Sequence, residues 1–558
     1  MAAVLQSVPK GNSSKIDDRK LQEKFDGRRS EELIIAFAGP IGCGTGSVIA
    51  SMEERLRERG YKDVVHIKLS KFLETAIAGK LVPEWTPEVS SSVRRVRYRR
   101  LQEAGKALRQ RTQNPAILAE YAVQEIALDR TQRAQKAGEP LQNGETIVPA
   151  RVAYLIDQVK RPEEVALLRT IYRNLFFLVG VTRIYSGRAE ALEGEHIRRE
   201  EVPGLMEIDR LEGGKDGQQL DKTLHLADYF FRNDVTTTED KKRKLNRFLD
   251  LVHGDKSVTP TDQENGMYAA YCAGLRSACL SRQVGASIAT PTGEVIATGC
   301  NDVPKSGGGL YTASFEGADM RCVHKEGQIC SNDLHKSHLK DEIGTIIDAA
   351  LKQAAASAGQ PINLDRTSLL DSIYTNTRLK DLIEFSRSVH AEMDAIVSLA
   401  RIGGAGLQGA VLYTTTFPCH SCARHIVAAG ISRVFYMEPY EKSLAKDLHS
   451  DAIAFEIEAT NDKVPKKVEF LHFEGVAPRQ FHNMFRATGR KDGSGKFVPI
   501  RVQQADKAVP EYLDNYQDFE AKAVQHLAMQ LDALATHDSI DKGDSVREDQ
   551  VNNLEKGA

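Results

Sequence analysis

One stretch, residues 388–430, limits the folds open to this chain more than any other. It holds His390-Ala391-Glu392 and, after one apolar run, Pro418-Cys419-His420-Ser421-Cys422. One imidazole and two thiols make three ligands for a tetrahedral zinc ion and leave its fourth position open to water. The local pattern predicts a helix from near Val389, with Ala391, Ile396, Val397 and Leu399 inside and Gly403-Gly404 ending it. A β-rich strand follows over 410–417. Pro418 then fits the first turn of a second helix, 419–429, where its missing N–H costs little, and Gly430 stops it. His390 thus opens one helix and both cysteines another. Two positive helix ends meeting at one place favour thiolates.

Other readings exist for each part taken singly. A C-x-x-C pair also serves as a redox couple or as half of a zinc ribbon, and a histidine before a helix is more often structural. A ribbon needs a second C-x-x-C, which the chain lacks, and a redox pair leaves His390 and Glu392 unexplained. H-x-E followed by P-C-x-x-C is instead the pattern of zinc-dependent nucleobase deamination. In that chemistry Glu392 takes a proton from the water that attacks C4 of cytosine, then delivers protons to ring N3 and to the departing amine. His420 and Ser421, between the cysteines, are expected to orient the ligands or start the helix.

Size and charge set the frame around this site. A chain of 558 residues exceeds one ordinary core, so two or three domains are expected. Lys plus Arg at 75 nearly cancels Asp plus Glu at 77, which argues against a nucleic-acid coat or an acidic tail. Eight scattered cysteines without a signal-like start imply reduced thiols and a cytoplasmic location. No apolar run approaches the roughly 20 residues of a membrane span, so a soluble chain with no membrane partner is expected.

Residues 1–30 read as a flexible polar leader. From 31 to 250 the text is that of a P-loop domain. The apolar run 33–38 leads into Gly39-Pro40-Ile41-Gly42-Cys43-Gly44-Thr45-Gly46-Ser47 and a helix ending near Gly60. Glycines there let backbone N–H groups converge on a phosphate, and the helix start adds positive potential. Thr45 stands where a P-loop lysine belongs, and Ser47 shifts the hydroxyl by one place. Binding of a nucleotide such as ATP without phosphoryl transfer, and a tight structural turn, are both open readings. Further strands are expected over 152–157, ending in Asp157 as a magnesium-site acid or a strand cap, over 174–181 and within 226–234. The helical run Arg94-Arg95-Val96-Arg97-Tyr98-Arg99-Arg100, continued by Lys106, Arg109 and Arg111, is either a solvated face paired with acids or a phosphate or RNA contact. Lys241 to Lys244 read as the polar side of a closing helix, and 251–266 as a linker.

The second domain is expected over 267–475. It opens with a helix, 269–280, and a hairpin of 282–290 and 294–298. Gly299-Cys300-Asn301-Asp302-Val303-Pro304 leaves the sheet, and 305–387 is an ordered insertion over the site or an interaction arm, with an Ala-rich helix over 346–358. Cys322, His324 and Cys330, with His335 or His338, are either a structural zinc site or ordinary thiols and surface histidines. Residues 476–558 form an extension that closes onto this fold, an amphipathic helix over 512–535 and a polar tail.

Four blocks in order, 270–280 with Arg282-Gln283-Val284-Gly285-Ala286, Gly299-x-Asn301-x-x-Pro304, His390-Ala391-Glu392 and Pro418-Cys419-x-x-Cys422-Ala423, resemble the deoxycytidylate deaminase family. The resemblance implies Zn²⁺ on His390, Cys419 and Cys422, Glu392 as proton shuttle, Asn301 on the substrate sugar, and a mixed five-stranded sheet between helices. Lys442, in the segment 436–443, is either near substrate phosphates or in a surface ion pair. With the degenerate P-loop ahead of it, the whole resembles bacterial anti-phage dCTP deaminases. That implies a P-loop kinase-like parallel sheet with helices on both faces, joined to a cytidine deaminase-like α/β/α sandwich. It further implies conversion of dCTP and dCMP to uracil nucleotides, dCTP depletion in antiviral defence, an inhibitory small RNA and a homo-oligomer. A housekeeping dCMP deaminase, an RNA or DNA cytidine deaminase and a regulatory binding protein are the alternatives.

Overall fold

Six consecutive residues with no exposed surface, Leu33–Ala38, make a strand that only a sheet covered on both faces can hold. In the computed structural model this is β1, at the centre of an α/β sheet. The structure describes residues 29–83, 85–86, 91–137, 151–210, 217–234, 237–360, 364–403, 406–438, 443–455, 466–487, 489–500, 502–503 and 507–511. Two units result, Met1–Thr259 with Arg479–Ala558, and Pro260–Pro478.

In the first unit β2 (Asp63–Lys68), β3 (Val152–Asp157), β4 (Phe176–Thr182) and β5 (Tyr229–Arg232) join β1 in the order β5-β4-β1-β3-β2. Every pairing among them is parallel. The sequence reading found all but β2. That strand is an edge with only Ile67 buried, so it shows no apolar run to detect. Helix α1 (Thr45–Glu58) follows β1, α2 (Val93–Thr112) carries the arginine run, and α3 (Thr238–Val252) is capped by the Thr237 hydroxyl, which accepts from Asp240 N.

The C-terminal stretch differs from expectation. From Arg479 the chain groups with the first unit and not with the preceding domain. Asp228, with no exposed surface, accepts from Arg169 and Gln480 and forms an ion pair with Arg479, and Glu511 takes bonds from Asn174 and Ser30 N. The expected leader, apart from its last residues, and the expected helix over 512–535 lie outside the described residues.

The second unit begins with α4 (Asp262–Gly274), earlier than the 269–280 expected. Its start is a capping box, Thr261 bonding Glu264 N and Glu264 bonding Thr261 N. The six-stranded sheet runs β10-β11-β9-β8-β6-β7, with β6 (Gly285–Ala289), β7 (Val295–Cys300), β8 (Val411–Thr416), β9 (Arg433–Glu438), β10 (Ile453–Ala454) and β11 (Val468–His472). It is mixed: β6 is antiparallel to β7 and β8, and the other pairs are parallel. A core of Ile288, Leu412, Ile426, Val434 and Phe470 lies against it. The insertion is ordered in its described parts. Its long helix α5 (Ser331–Ala358) starts well before the Ala-rich segment, buries only Gly344, and is followed by α6 (Arg366–Asn376).

Candidate active site

The site in the second unit is made by two helix starts. His390 is the N-cap of α7 (Ala391–Ile402), and Cys419 is the N-cap of α8 (His420–Ala428), its sulfur accepting from Cys422 N at 3.4 Å. Pro418 therefore sits just ahead of the cap and not in the first turn. Gly430, at φ 75, closes α8. His390 Nδ1 lies 3.3 Å from Cys419 Sγ and 3.4 Å from Cys422 Sγ.

The ligand atoms of the three all fall within 4.8 Å of one another, the one such group of three His, Cys, Asp or Glu among the described residues. The separations are close to the roughly 3.5 Å that bonds of about 2.0 and 2.3 Å impose between tetrahedral neighbours. The donor set fits Zn²⁺. Cys322, His324 and Cys330 form no such group.

Charge is distributed as the chemistry of a cation site requires. A hydrogen bond with Cys422 and the neighbouring imidazole pull Cys419 below the usual thiol range, to about 4. Its bond to Cys419, together with burial, pushes the Cys422 thiol up. The same thiolate raises His390 to about 8. A cation bound by these groups displaces the protons they carry. Glu392 lies one residue inside α7, is 4% exposed, and burial raises its carboxyl above the ordinary range.

Asn301 is brought to the same end of β7 but is already occupied. Its Oδ1 accepts from Val284 N at 2.7 Å and its Nδ2 donates to Arg282 O at 2.8 Å. It holds the loop 282–284. Sequence reasoning missed two neighbours that brace the site. Asp394 accepts from Cys300 N at 3.1 Å, and Asp302 pairs with Val389 through Val389 N and Asp302 O at 3.0 Å. The one signal each offers is an acid close to a candidate: Asp394 two residues after Glu392, and Asp302 next to Asn301. His420 opens α8, and Ser421 lends its carbonyl to His425. Lys442 lies outside the described residues.

In the first unit the glycine loop is formed and braced. Gly42 and Gly44 have φ of 82 and 76, which admit no ordinary side chain without strain. Gly39 leaves no room for a Cβ beside Cys43 Sγ, while Gly46 has open space. Asp209 accepts from Ile41 N at 2.7 Å, Arg188 donates to Ile41 O, Asn233 to Cys43 O, and Gln158 to Thr45 Oγ1. Lys241 Nζ reaches Ser47 Oγ at 2.9 Å, bringing an ammonium to the loop from α3. Asp157 ends β3 with His66 Nε2 at 3.4 Å. The arginine run is largely paired: Arg95, Arg97 and Arg99 meet Glu201, Glu74 and Glu103, and Arg109 is buried.

Residues 260–438, in the second unit, match the family model for the cytidine and deoxycytidylate deaminase zinc-binding region. The deoxycytidylate deaminase of Enterobacteria phage T2 is 29% identical over 174 residues, which span 31% of this chain and 78% of that protein. That of Enterobacteria phage T4 is 28% identical over 174 residues, 31% and 76% of the two chains. The dCMP deaminase of cyanophage S-TIM5, in its apo crystal form, is 18% identical and covers 38% of this chain and 99% of its own, with a TM-score of 0.20.

Proposed function

We propose that the second unit deaminates deoxycytidine nucleotides hydrolytically, dCMP to dUMP and dCTP to dUTP, with release of ammonia. The observation that carries this is the meeting of His390, Cys419 and Cys422 beside the buried Glu392. Those three residues would hold a zinc ion. When bound, zinc supplies the Lewis acidity that makes water a nucleophile at neutral pH. Glu392 moves the protons: it takes one from the attacking water and passes it to N3, then takes the second from the new C4 hydroxyl and delivers it to the amine, which leaves as ammonia while the C4 carbonyl forms. Asn301 keeps one lone pair and one N–H beyond its two loop bonds, and these meet the sugar.

The names of the phage relatives favour dCMP as one substrate. The extension to dCTP, and to depletion of dCTP in defence against phage, rests on the resemblance of the two-part sequence. In this reading the first unit is a P-loop kinase-like regulator that takes ATP or a similar nucleotide at Gly39, Gly42, Gly44, Thr45, Gly46 and Ser47, with Lys241 in place of the absent loop lysine. The arginine helix receives an inhibitory small RNA, and the enzyme is a cytoplasmic homo-oligomer.

Ammonia release from dCTP, dCMP, CTP and single-stranded DNA, with Glu392→Ala as control, tests the activity. Turnover of dCMP and dCTP is expected, and activity confined to polymers would overturn the reading. A Gly44→Asp, Gly46→Asp variant tests the loop. Deaminase rates that ignore both the substitutions and added ATP would remove its regulatory role.

A further inference from the structure

The insertion reaches the catalytic constellation at its root through one buried guanidinium. Arg321 is 6% exposed. Asp319 holds it as a fork, Oδ2 accepting from Nε at 2.9 Å and from Nη2 at 2.6 Å. Its remaining nitrogen, Nη1, stands 3.7 Å from Oδ2 of Asp302, which is 1% exposed. The Asp302 carboxylate also accepts from Ala278 N at 2.9 Å and Val303 N at 2.8 Å. A buried carboxylate with two neutral donors is poorly compensated, and Arg321 supplies the countercharge.

The backbone of Asp302 carries the effect onward. Its carbonyl accepts from Val389 N, and the two residues form an isolated antiparallel bridge. Val389 immediately precedes His390. On the other side of the same turn, Cys300 N is tied to Asp394 in the first turn of α7. Gly299 packs so closely on α7 that an added Cβ would lie 2.3 Å from Ala391 O. The turn 299–302 thus touches α7 twice and the residue before His390 once. Arg387 donates to Met320 O, fastening the end of the insertion to the segment that bears Arg321.

We propose that Arg321 is a positioning residue: by neutralising Asp302 it fixes the backbone register of Val389, and so the placing of His390 and Glu392 against Cys419 and Cys422. The inference rests on the zinc-deaminase reading of the site. The insertion is then a working part of that site and not only an arm upon it.

The test uses the full-length protein loaded with zinc. Zinc loss to a chelator and steady-state kinetics on dCMP are followed for wild type, Arg321→Met, Arg321→Lys and the pair Arg321→Met, Asp302→Asn. Removing a group that orients metal ligands costs roughly 10–100-fold in metal affinity or activity. Arg321→Met is expected to lose zinc at least about tenfold faster, with kcat falling and KM little changed. Arg321→Lys restores part of the loss, because the charge returns without the fork. The double variant recovers further, because the uncompensated carboxylate is gone. Folded Arg321→Met that keeps zinc and kcat at wild-type values overturns the clamp. Should Arg321→Met misfold, Arg321→Lys decides by the same zinc readout: zinc loss faster than in wild type and in the double variant supports the clamp, and wild-type retention overturns it. A wild type that takes up no zinc overturns the reading of the site itself, and the clamp falls with it.

Discussion

Glu392 and Asn301 make different demands on a substitution. Glu392→Gln keeps the volume and removes the proton carrier, so kcat on dCMP is expected to fall by about 10²–10⁴ with zinc content unchanged. Equal kcat in the two proteins would show that another group moves the proton. Asn301→Ala removes two bonds to the 282–284 backbone and leaves Val284 N and Arg282 O without them. Both bonds are part-buried, and each is worth about 0.5–1.5 kcal/mol. The second unit should therefore melt earlier, and KM should rise as well. A variant with unchanged thermal stability would make Asn301 a substrate contact alone. His253 is a third case. It is 2% exposed, its Nδ1 bonds Leu249 O at 2.6 Å and its Nε2 faces the Tyr61 hydroxyl at 3.0 Å. Burial lowers its pKa to about 3. The unfolded chain takes up the proton below about pH 6.5 and the folded chain does not, so stability present above that pH is lost as pH falls towards 3. By pH 5 the loss from this group is about 2 kcal/mol. Trp85, the lone tryptophan, lies in the same unit and reports it. Urea unfolding followed at Trp85 should show a steeper fall between pH 7.5 and 5 in wild type than in His253→Gln, and parallel curves would refute the assignment.

Gly299 shows what an element needs from one position. β7 and α7 approach so closely there that Gly299→Ala would force a methyl against Ala391 O and Ala395 N, at 2.3 and 2.4 Å. Overpacking of this kind costs about 1–3 kcal/mol, and here it displaces the helix that starts at His390. Reduced zinc retention at normal helix content by circular dichroism is expected, and a wild-type chelation rate would argue that the contact relaxes freely. At this scale much was legible. β1, β3, β4 and β5 announced themselves because strands covered on both faces are apolar throughout, and α7 and α8 because glycine and proline bound them. The three residues that meet as a candidate metal group were legible as residue types at a spacing, with no need of the fold between. β2 was not, since an edge strand mixes exposed and buried residues. The start of α4 was written in the Thr261 and Glu264 capping box, yet the apolar text begins several residues later. Arg109 was read with its exposed neighbours, because helical spacing does not say which turn meets the core. Arg321 and Asp302 carry no local pattern at all. Their relation exists only because the insertion folds back.

The organisation of the molecule depends on a return of the chain that composition does not reveal. Residues after Pro478 look like a polar extension, yet Arg479 forms an ion pair with the fully buried Asp228 at 3.1 Å and Gln480 donates to it at 3.0 Å. Asp228 also holds Leu178 N at 2.7 Å and Arg169 at 2.9 Å, so a single carboxylate links β4, the turn before β5 and the returning segment. Ala508 N adds a bond to Val252 O at the end of α3. A chain cut after Pro478 keeps Asp228 buried with half of its countercharge removed. Breaking a buried ion pair from one side costs about 3–5 kcal/mol, a large share of the roughly 5–15 kcal/mol that keeps a domain folded. Arg479→Met, in the full-length chain, should carry part of the same penalty. The truncated protein is expected to show an early unfolding step at Trp85 while zinc bound at His390, Cys419 and Cys422 is released only in a later one. A single coincident step at the wild-type midpoint would mean that the first unit stands without its C-terminal return, and that Asp228 finds its compensation in Arg169 alone.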